Sequence, residues 1–327
     1  AASGAAPRPI ALIAPPLMHG TGQLGAANAL SFGGAVVLLP KGRFDPEALW
    51  EAVARERASR ISIVGQPFAQ PMLDALDANP GRWDVSCVLS IVSSGAMWSR
   101  DNKKGLLRHM PQAMLTDAFS SSEAIGMGTS IMTADAEFET ARFTIGPDCA
   151  VFTEDGRRVA PGSGERGRAA VGGYLPLGYY KDQAKTDATF KIIDGQRWSI
   201  PGDWAEVTAE GELILLGRGS QCINTGGEKV FPEEVEEALK LHPAVRDAAV
   251  TGLPDPRMGE RVAAIVELSA PAEPAELIAH VKERLAHYKA PRHVLIVDSV
   301  ARAPNGKLDY KAVKARALDA FGAEQPQ

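Results

Sequence analysis

The first 125 residues alternate short apolar runs with amphipathic stretches, the pattern of a parallel sheet covered by helices. Asp45 followed by Pro46 reads as an N-cap and first helical position, and Leu49, Trp50, Val53 and Ala54 then form one apolar stripe. The runs RISIV (60–64) and VLSIVSSG (88–95) read as buried strands. Ser99 opens a further helix, and AMLTDAF (113–119) is a strand running into a loop. Ligands of open α/β sheets gather beyond the carboxyl ends of the strands, so Gly95 and the segment from Ser120 to Glu123 fall where a site is expected.

From about residue 140 the pattern shortens to β-rich pieces divided by the turn signals EDG (154–156), PGSGERG (161–167) and AEG (209–211), which predict an antiparallel barrel or sandwich. Helical periodicity returns after Gly217. A helix is predicted over 232–241, strands near 246–251 and 261–268, a helix over 274–286, a strand over 293–298 and a final helix from 309. The fold class predicted is α/β: a parallel sheet with flanking helices (1–135), a β-barrel-like subdomain (136–217), then a small, mobile α+β C-terminal domain (218–327).

Composition narrows the function. Of 327 residues, 45% are hydrophobic and 23% charged, enough for a sizeable core, and the balance of 35 Lys and Arg against 40 Asp and Glu gives no reason to expect a nucleic-acid partner. Cys87, Cys149 and Cys222 are odd in number and far apart, which suits reduced, structural thiols. No apolar run is long enough to span a membrane, and the opening AASGAAPRPIALIAPP has no basic segment followed by a long apolar one, so a cytoplasmic location is expected. The absent initiator Met fits a processed or a truncated chain equally. The six histidines show no ligand spacing, so no protein-built metal site is expected.

The stretch GRGSQCINTGGEKVFPEEVEEAL (217–239) could cradle a phosphate, swing a domain or turn a corner. A cradle needs free N–H groups at a helix start. Here Pro232 has none, and Glu233 and Glu234 suit the positive helix end and repel phosphate. By itself the run reads as a strand, a tight glycine turn and a helix with Val235, Ala238 and Leu239 inward.

Beside other motifs it gains meaning. SSGAM (93–97), DAFSSSE (117–123), GERG (164–167) with PLGYYKDQAKTDATF (176–190), SIPGDW (199–204), GRGSQCINTGGEKVFPEEVE (217–236) and PNGKLD (304–309) follow in one order. Together they resemble the acyl-adenylate-forming ligases, most closely the bacterial acyl-CoA synthetases, from PPLMHG (15–20) onward. The resemblance implies a two-step reaction. A carboxylate attacks the α-phosphate of ATP, giving acyl-adenylate and pyrophosphate, and the thiol of coenzyme A then displaces AMP; Mg²⁺ and fixed cations stabilise the phosphoryl charge.

The resemblance also implies roles. Glu123 holds Mg²⁺. Asp117 accepts from the adenine amino group, and Ala118 and Phe119 follow it, Phe119 replacing the usual tyrosine against the base. Ser120 stands where glycine is usual, and Ser122 keeps a hydroxyl near the α-phosphate. Gly95 and Ala96 let the adenylate lie against backbone. Asp203 and Arg218 take the ribose, and Pro201 stands where threonine is usual. Lys307 is the adenylation lysine, presented by the PNG turn. Ser220 is the hinge, replacing a charged residue, and Gly226 and Gly227 offer bare backbone to the pantetheine arm. His19, with Gly20, lines the acyl channel, and Gly20, Gly22 and Gly25 leave room for a long or wide acyl group. Each has a plain alternative: Glu123 a solvated carboxylate, Asp203 a turn residue, Lys307 a lysine after a hairpin turn, and His19 packing.

The family's phosphate loop, normally ahead of PPLMHG, has no counterpart, so this chain alone is expected to adenylate poorly and to expose a face that favours a homodimer or a missing N-terminal segment. Two competing readings are an adenylating ligase that loads a carrier protein and a non-catalytic fragment that binds nucleotide or partners. The motifs look most like the synthetases for fatty acids and bulky sterol side chains.

Overall fold

The computed structural model of the chain describes residues 8–40, 44–96, 98–136, 142–303 and 306–322, apart from the Ser220 side chain. They fall into two units: residues 1–140 together with 304–307, and 141–303 together with 308–327.

In the first unit, β1 (Ile10–Ile13), β2 (Ala35–Leu38), β3 (Arg60–Ile63), β4 (Ser90–Ser93), β5 (Met114–Ser121) and β6 (Ala124–Met132) form one sheet in the order β2-β1-β3-β4-β5-β6. The first five strands are parallel, joined by α1 (Gly20–Ser31), α2 (Pro46–Glu56), α3 (Gln66–Ala78) and α4 (Arg100–His109). The sequence dictates much of this. Asp45 Oδ1 accepts from the amides of Glu47 and Ala48 at 3.0 and 3.2 Å, and Ser99 Oγ accepts from Asn102 at 3.3 Å, so both predicted helix starts are capped. Leu49, Trp50 and Val53 are fully buried against Ile61, Ile91 and Met72, and the Trp50 indole N–H finds the Met72 carbonyl at 2.9 Å. Between β1 and β3 the chain reverses its direction of travel across the sheet, the place where such sheets bind ligands.

The loop expected after residue 119 is instead a hairpin. Strand β5 continues to Ser121, Ser122 and Glu123 make the turn, and β6 returns antiparallel. Gly126 and Gly128 dilute the strand pattern of β6, so it went unpredicted; its pairing with β5 supplies what propensity does not.

In the second unit, β7 (Arg142–Phe143), β8 (Cys149–Phe152), β9 (Gly167–Val171), β10 (Phe190–Ile193), β11 (Gln196–Ser199), β12 (Asp203–Val207) and β13 (Leu213–Arg218) make an antiparallel sheet in the order β10-β11-β9-β12-β13-β7, with β8 on β9. One helix, α5 (Gln183–Thr189), precedes β10. A second sheet holds β14 (Ile223–Thr225), β15 (Glu228–Val230), β16 (Val245–Asp255), β17 (Gly259–Leu268) and β18 (His293–Val297). Alternation along β16 and β17 feeds two cores. Val250, Val262 and Ala264 pack with α6 (Pro232–Lys240) and α7 (Pro274–Lys282), while Ala249, Ala263 and Ile265 pack with α8 (Tyr310–Phe321).

Several predicted boundaries move. β16 and β17 are longer than expected because they pair along almost their whole length, and α7 ends at Lys282, four residues early, where the Arg284 amide tightens onto Val281. Among the described residues no helix is long and apolar enough to cross a membrane, and the three cysteines are free thiols.

Candidate functional site

In the first unit the site is built at the carboxyl ends of β1, β3, β4 and β5. His19 caps α1, its Nδ1 accepting from the Thr21 amide at 3.2 Å, which leaves Nε2 to carry the proton of the neutral ring. That Nε2 is buried and meets no partner among the described residues. Burial lowers the imidazole pKa, and the nearby Lys307 ammonium lowers it further, so the neutral donor is favoured. The Thr21 hydroxyl donates to the Ser94 carbonyl at 3.1 Å and ties this turn to the end of β4. Gly95 follows at φ +92°, and a Cβ there would lie 3.3 Å from His19 Cε1, so both conformation and space call for glycine. Ala96 is half-buried beside it. Gly306 and Lys307 group with this unit; Gly306 has φ +79°, and a Cβ on it would approach the Val64 carbonyl oxygen to 3.3 Å. The structure thus brings His19, Gly95 and Lys307 into one neighbourhood.

The acyl-room reading needs correction. Gly20 faces open space, but a Cβ on Gly22 would meet the Pro16 carbonyl at 2.7 Å and one on Gly25 the Ser62 Oγ at 2.5 Å. Gly22 lets the start of α1 lie against the loop after β1, and Gly25 lets α1 pack against β1 and β3, so neither leaves the room expected of it.

Asp117 lies on β5 opposite Ser93 of β4 and Ser130 of β6. It forms an ion pair with Lys103 of α4, the side chains being only 15% and 4% exposed, and the Lys103 ammonium sits 5.3 Å from the Trp98 ring centroid. The sequence reading missed Lys103, because a lysine among the surface positions of an amphipathic helix carries no signal that it turns inward. Ala118 is half-buried and Phe119 buried. Ser120 Oγ accepts from the Gly126 amide at 3.1 Å, clamping the hairpin whose tip carries exposed Ser122 and half-buried Glu123. Among the described residues no three His, Cys, Asp or Glu gather as a metal cage. One carboxylate at Glu123 would suit a Mg²⁺ that drew its other ligands from phosphate oxygens and water.

In the second unit, Asp203 and Arg218 stand opposite one another on β12 and β13, with Arg218 Nε donating to Asp203 Oδ1 at 3.3 Å. Asp203 is 10% exposed and Arg218 55%, a buried anion under an accessible cation. The PGD turn places them: Gly202 has φ +106°, and its carbonyl accepts from the Gly219 amide at 3.1 Å. Ser220 follows within a single 3₁₀ turn, Gly219–Gln221, that joins β13 to β14. Gly226 and Gly227, at φ +60° and +87°, form the two-residue hairpin between β14 and β15; the Gly226 amide donates to the Met258 carbonyl at 2.8 Å, and Gly227 faces open space.

Glu233 departs from its sequence reading. Its partner Glu234 accepts from the Phe231 amide at 3.1 Å and pairs with Lys289 at 2.5 Å, but Glu233 turns toward β13 and accepts from the Arg218 amide at 3.3 Å. Burial, then the neighbouring carboxylates of Glu236 and Asp203, push its pKa up to about 7. Two adjacent glutamates look alike in sequence and both are half-buried, and only packing decides that one meets Lys289 and the other the Arg218 amide.

Residues 234–307 match the family model described as the AMP-binding enzyme C-terminal domain. Over 307 residues, 92% of its length, the chain is 45% identical to a medium/long-chain-fatty-acid–CoA/3-oxocholest-4-en-26-oate–CoA ligase of Mycolicibacterium smegmatis. It spans 55% of that relative's length. Among solved structures, it superposes on amide bond synthetase McbA from Marinactinospora thermotolerans with a TM-score of 0.78 at 28% identity, covering 95% of this chain and 62% of that one. On the O-succinylbenzoate coenzyme A synthetase (MenE) of Bacillus subtilis, in complex with AMP, the TM-score is 0.76 at 26% identity, with 95% and 62% covered. Residues 234–307 thus carry the AMP-binding enzyme C-terminal domain, and in sequence and fold the chain as a whole is similar to the acyl-adenylate-forming ligases, spanning the C-terminal portion of their length.

Proposed function

We propose that the chain contributes to ATP-dependent activation of a carboxylic acid, by way of its acyl-adenylate, to the coenzyme A thioester, and that medium- or long-chain fatty acids or sterol side-chain acids are the substrates. The acid class follows the relative's name, and the chain spans about half of that relative. The observation that carries the reading is the Asp203–Arg218 pair: a buried carboxylate and an accessible guanidinium on facing strands suit the two hydroxyls of a ribose.

In this reading the substrate carboxylate oxygen bonds to the α-phosphorus and the bond to pyrophosphate breaks; the coenzyme A sulfur then bonds to the acyl carbon as the bond to AMP breaks and the thiol proton is lost. Lys307 stabilises phosphoryl oxygens during the first step. The neutral His19 Nε2–H is a donor for an oxygen of the acid or the adenylate, and Gly95 lets that ligand approach backbone. Asp117, held by Lys103, faces the adenine amino group. Mg²⁺ on Glu123 and the phosphates would neutralise charge as pyrophosphate leaves. Ser220 is the hinge between the two steps, and Gly226 and Gly227 meet the pantetheine arm.

Pyrophosphate release and acyl-CoA formation, measured over a panel of fatty and sterol acids, test this. The chain alone should release little pyrophosphate, and the chain extended at its N-terminus to the relatives' length should turn over at least one acid of the panel. An extended protein inert toward every acid would sink the reading.

A further inference from the structure

Glu233 stands where α6 begins and reaches back to the strand that carries Arg218. Oε1 accepts the Arg218 amide at 3.3 Å, while Oε2 is buried without a partner among the described residues. The space it occupies exists because residue 217 is glycine. A Cβ there would overlap Glu233 Oε2, lie 2.8 Å from its Cδ and 3.2 Å from Phe231 Cβ, and Gly217 has φ +138°. The carboxyl group is therefore a wedge between α6 and the end of β13, aimed at the residue beside the ribose pair.

We propose that Glu233 is a positioning residue for the ribose pair: lodged in the space left by Gly217, it holds the Arg218 amide and so keeps the Arg218 guanidinium on Asp203. This rests on reading Asp203 and Arg218 as ribose ligands. The groups around the wedge make its grip depend on protonation. Asp203 comes from β12, Arg218 from β13, Glu234 and Glu236 from α6, Tyr310 from α8, Lys229 from β15, Lys289 from the segment after α7, and Cys222 from the turn just before β14. Glu236 already accepts the Val250 amide at 2.9 Å and the Tyr310 hydroxyl at 3.2 Å, Lys289 is taken by Glu234, and the Lys229 ammonium lies over the Trp204 ring at 4.1 Å, so among the described residues no cation pairs with the Glu233 carboxyl. A neutral carboxyl fits this pocket. An ionised one accepts the Arg218 amide more strongly, but it has an unpartnered buried oxygen and is repelled by Glu236 and Asp203, which pushes it out of the wedge.

The test follows the Arg218 amide shift by NMR between pH 5.5 and 8.5 and AMP affinity by calorimetry at pH 6 and 8, for the wild type, Glu233→Gln and Glu233→Ala. The glutamine keeps the shape and cannot ionise, and AMP's own ionisation is common to all three proteins. The wild-type Arg218 amide should titrate near pH 7, and wild-type AMP affinity should fall about tenfold more than that of Glu233→Gln across the range. Glu233→Ala should bind AMP about tenfold more weakly at pH 6. A flat Arg218 amide in the wild type, a glutamine variant with the wild-type pH profile, or wild-type AMP affinity in Glu233→Ala at pH 6 would each overturn the role. Failure of the wild type to bind AMP while its Arg218 amide still titrates would overturn the ribose reading, and this role with it.

Discussion

Gly217 and Glu233 are shaped for each other: the side chain that Gly217 lacks is the space that the Glu233 carboxyl fills. Gly217→Ala should therefore cost about 2–4 kcal/mol of unfolding free energy, from forced φ and overlap together. Denaturant melts read this. The double variant Gly217→Ala/Glu233→Ala should recover part of the loss, leaving the conformational share, and strictly additive losses would show that the two positions do not interact.

The raised Glu233 pKa has a sign. A carboxyl group that holds its proton more tightly folded than unfolded contributes most below the unfolded value of 4.5, and that contribution is lost as pH rises to about 7. Subtracting the Glu233→Gln stability curve from the wild-type curve should leave a difference that declines between pH 4.5 and 7 and is level above. A difference that grows over this range would contradict the buried, neutral assignment.

Removing one partner of a buried ion pair strands the other. Lys103→Met should destabilise by roughly 3–5 kcal/mol, because the Asp117 carboxylate is left 15% exposed without the ammonium it now faces. Lys103→Met/Asp117→Leu should be more stable than Lys103→Met alone. Thermal melts of the three proteins separate the outcomes.

Asp203→Ala should weaken AMP binding by about 10- to 100-fold, the worth of a charge-assisted contact. The unfolding midpoint should move little, since Arg218 remains solvated. Calorimetry with AMP, paired with a melt, checks both; unchanged affinity would remove the ribose assignment.

Lys307→Ala, in the extended protein, should abolish pyrophosphate release yet spare thioester formation from a supplied acyl-adenylate. Equal loss in both half-reactions would mean that Lys307 is not confined to adenylation.

Local chemistry made the helix starts legible. Asp45 and Ser99 cap helices because their short side chains reach amides two or three residues on, a relation contained within a few positions of sequence. The paired glycines 226 and 227 announced their hairpin for the same reason, since only glycine takes two successive positive φ values without strain. Strand β6 stayed hidden because its glycines weaken any local signal, and its partner β5 supplies the stability.

The order of short motifs alone determined the family, and with it the candidates Glu123, Asp203, Arg218 and Lys307, because each motif is a contiguous run whose residue types suit one chemical task. Tertiary structure alone decided what surrounds them. The turn of Lys103 onto Asp117, the seat of Glu233 against Gly217, the His19 ring over Gly95 and the filled space beside Gly22 and Gly25 all join residues from different elements. Burial and the direction of a side chain are properties of what packs against it, and a chain read in order does not carry them.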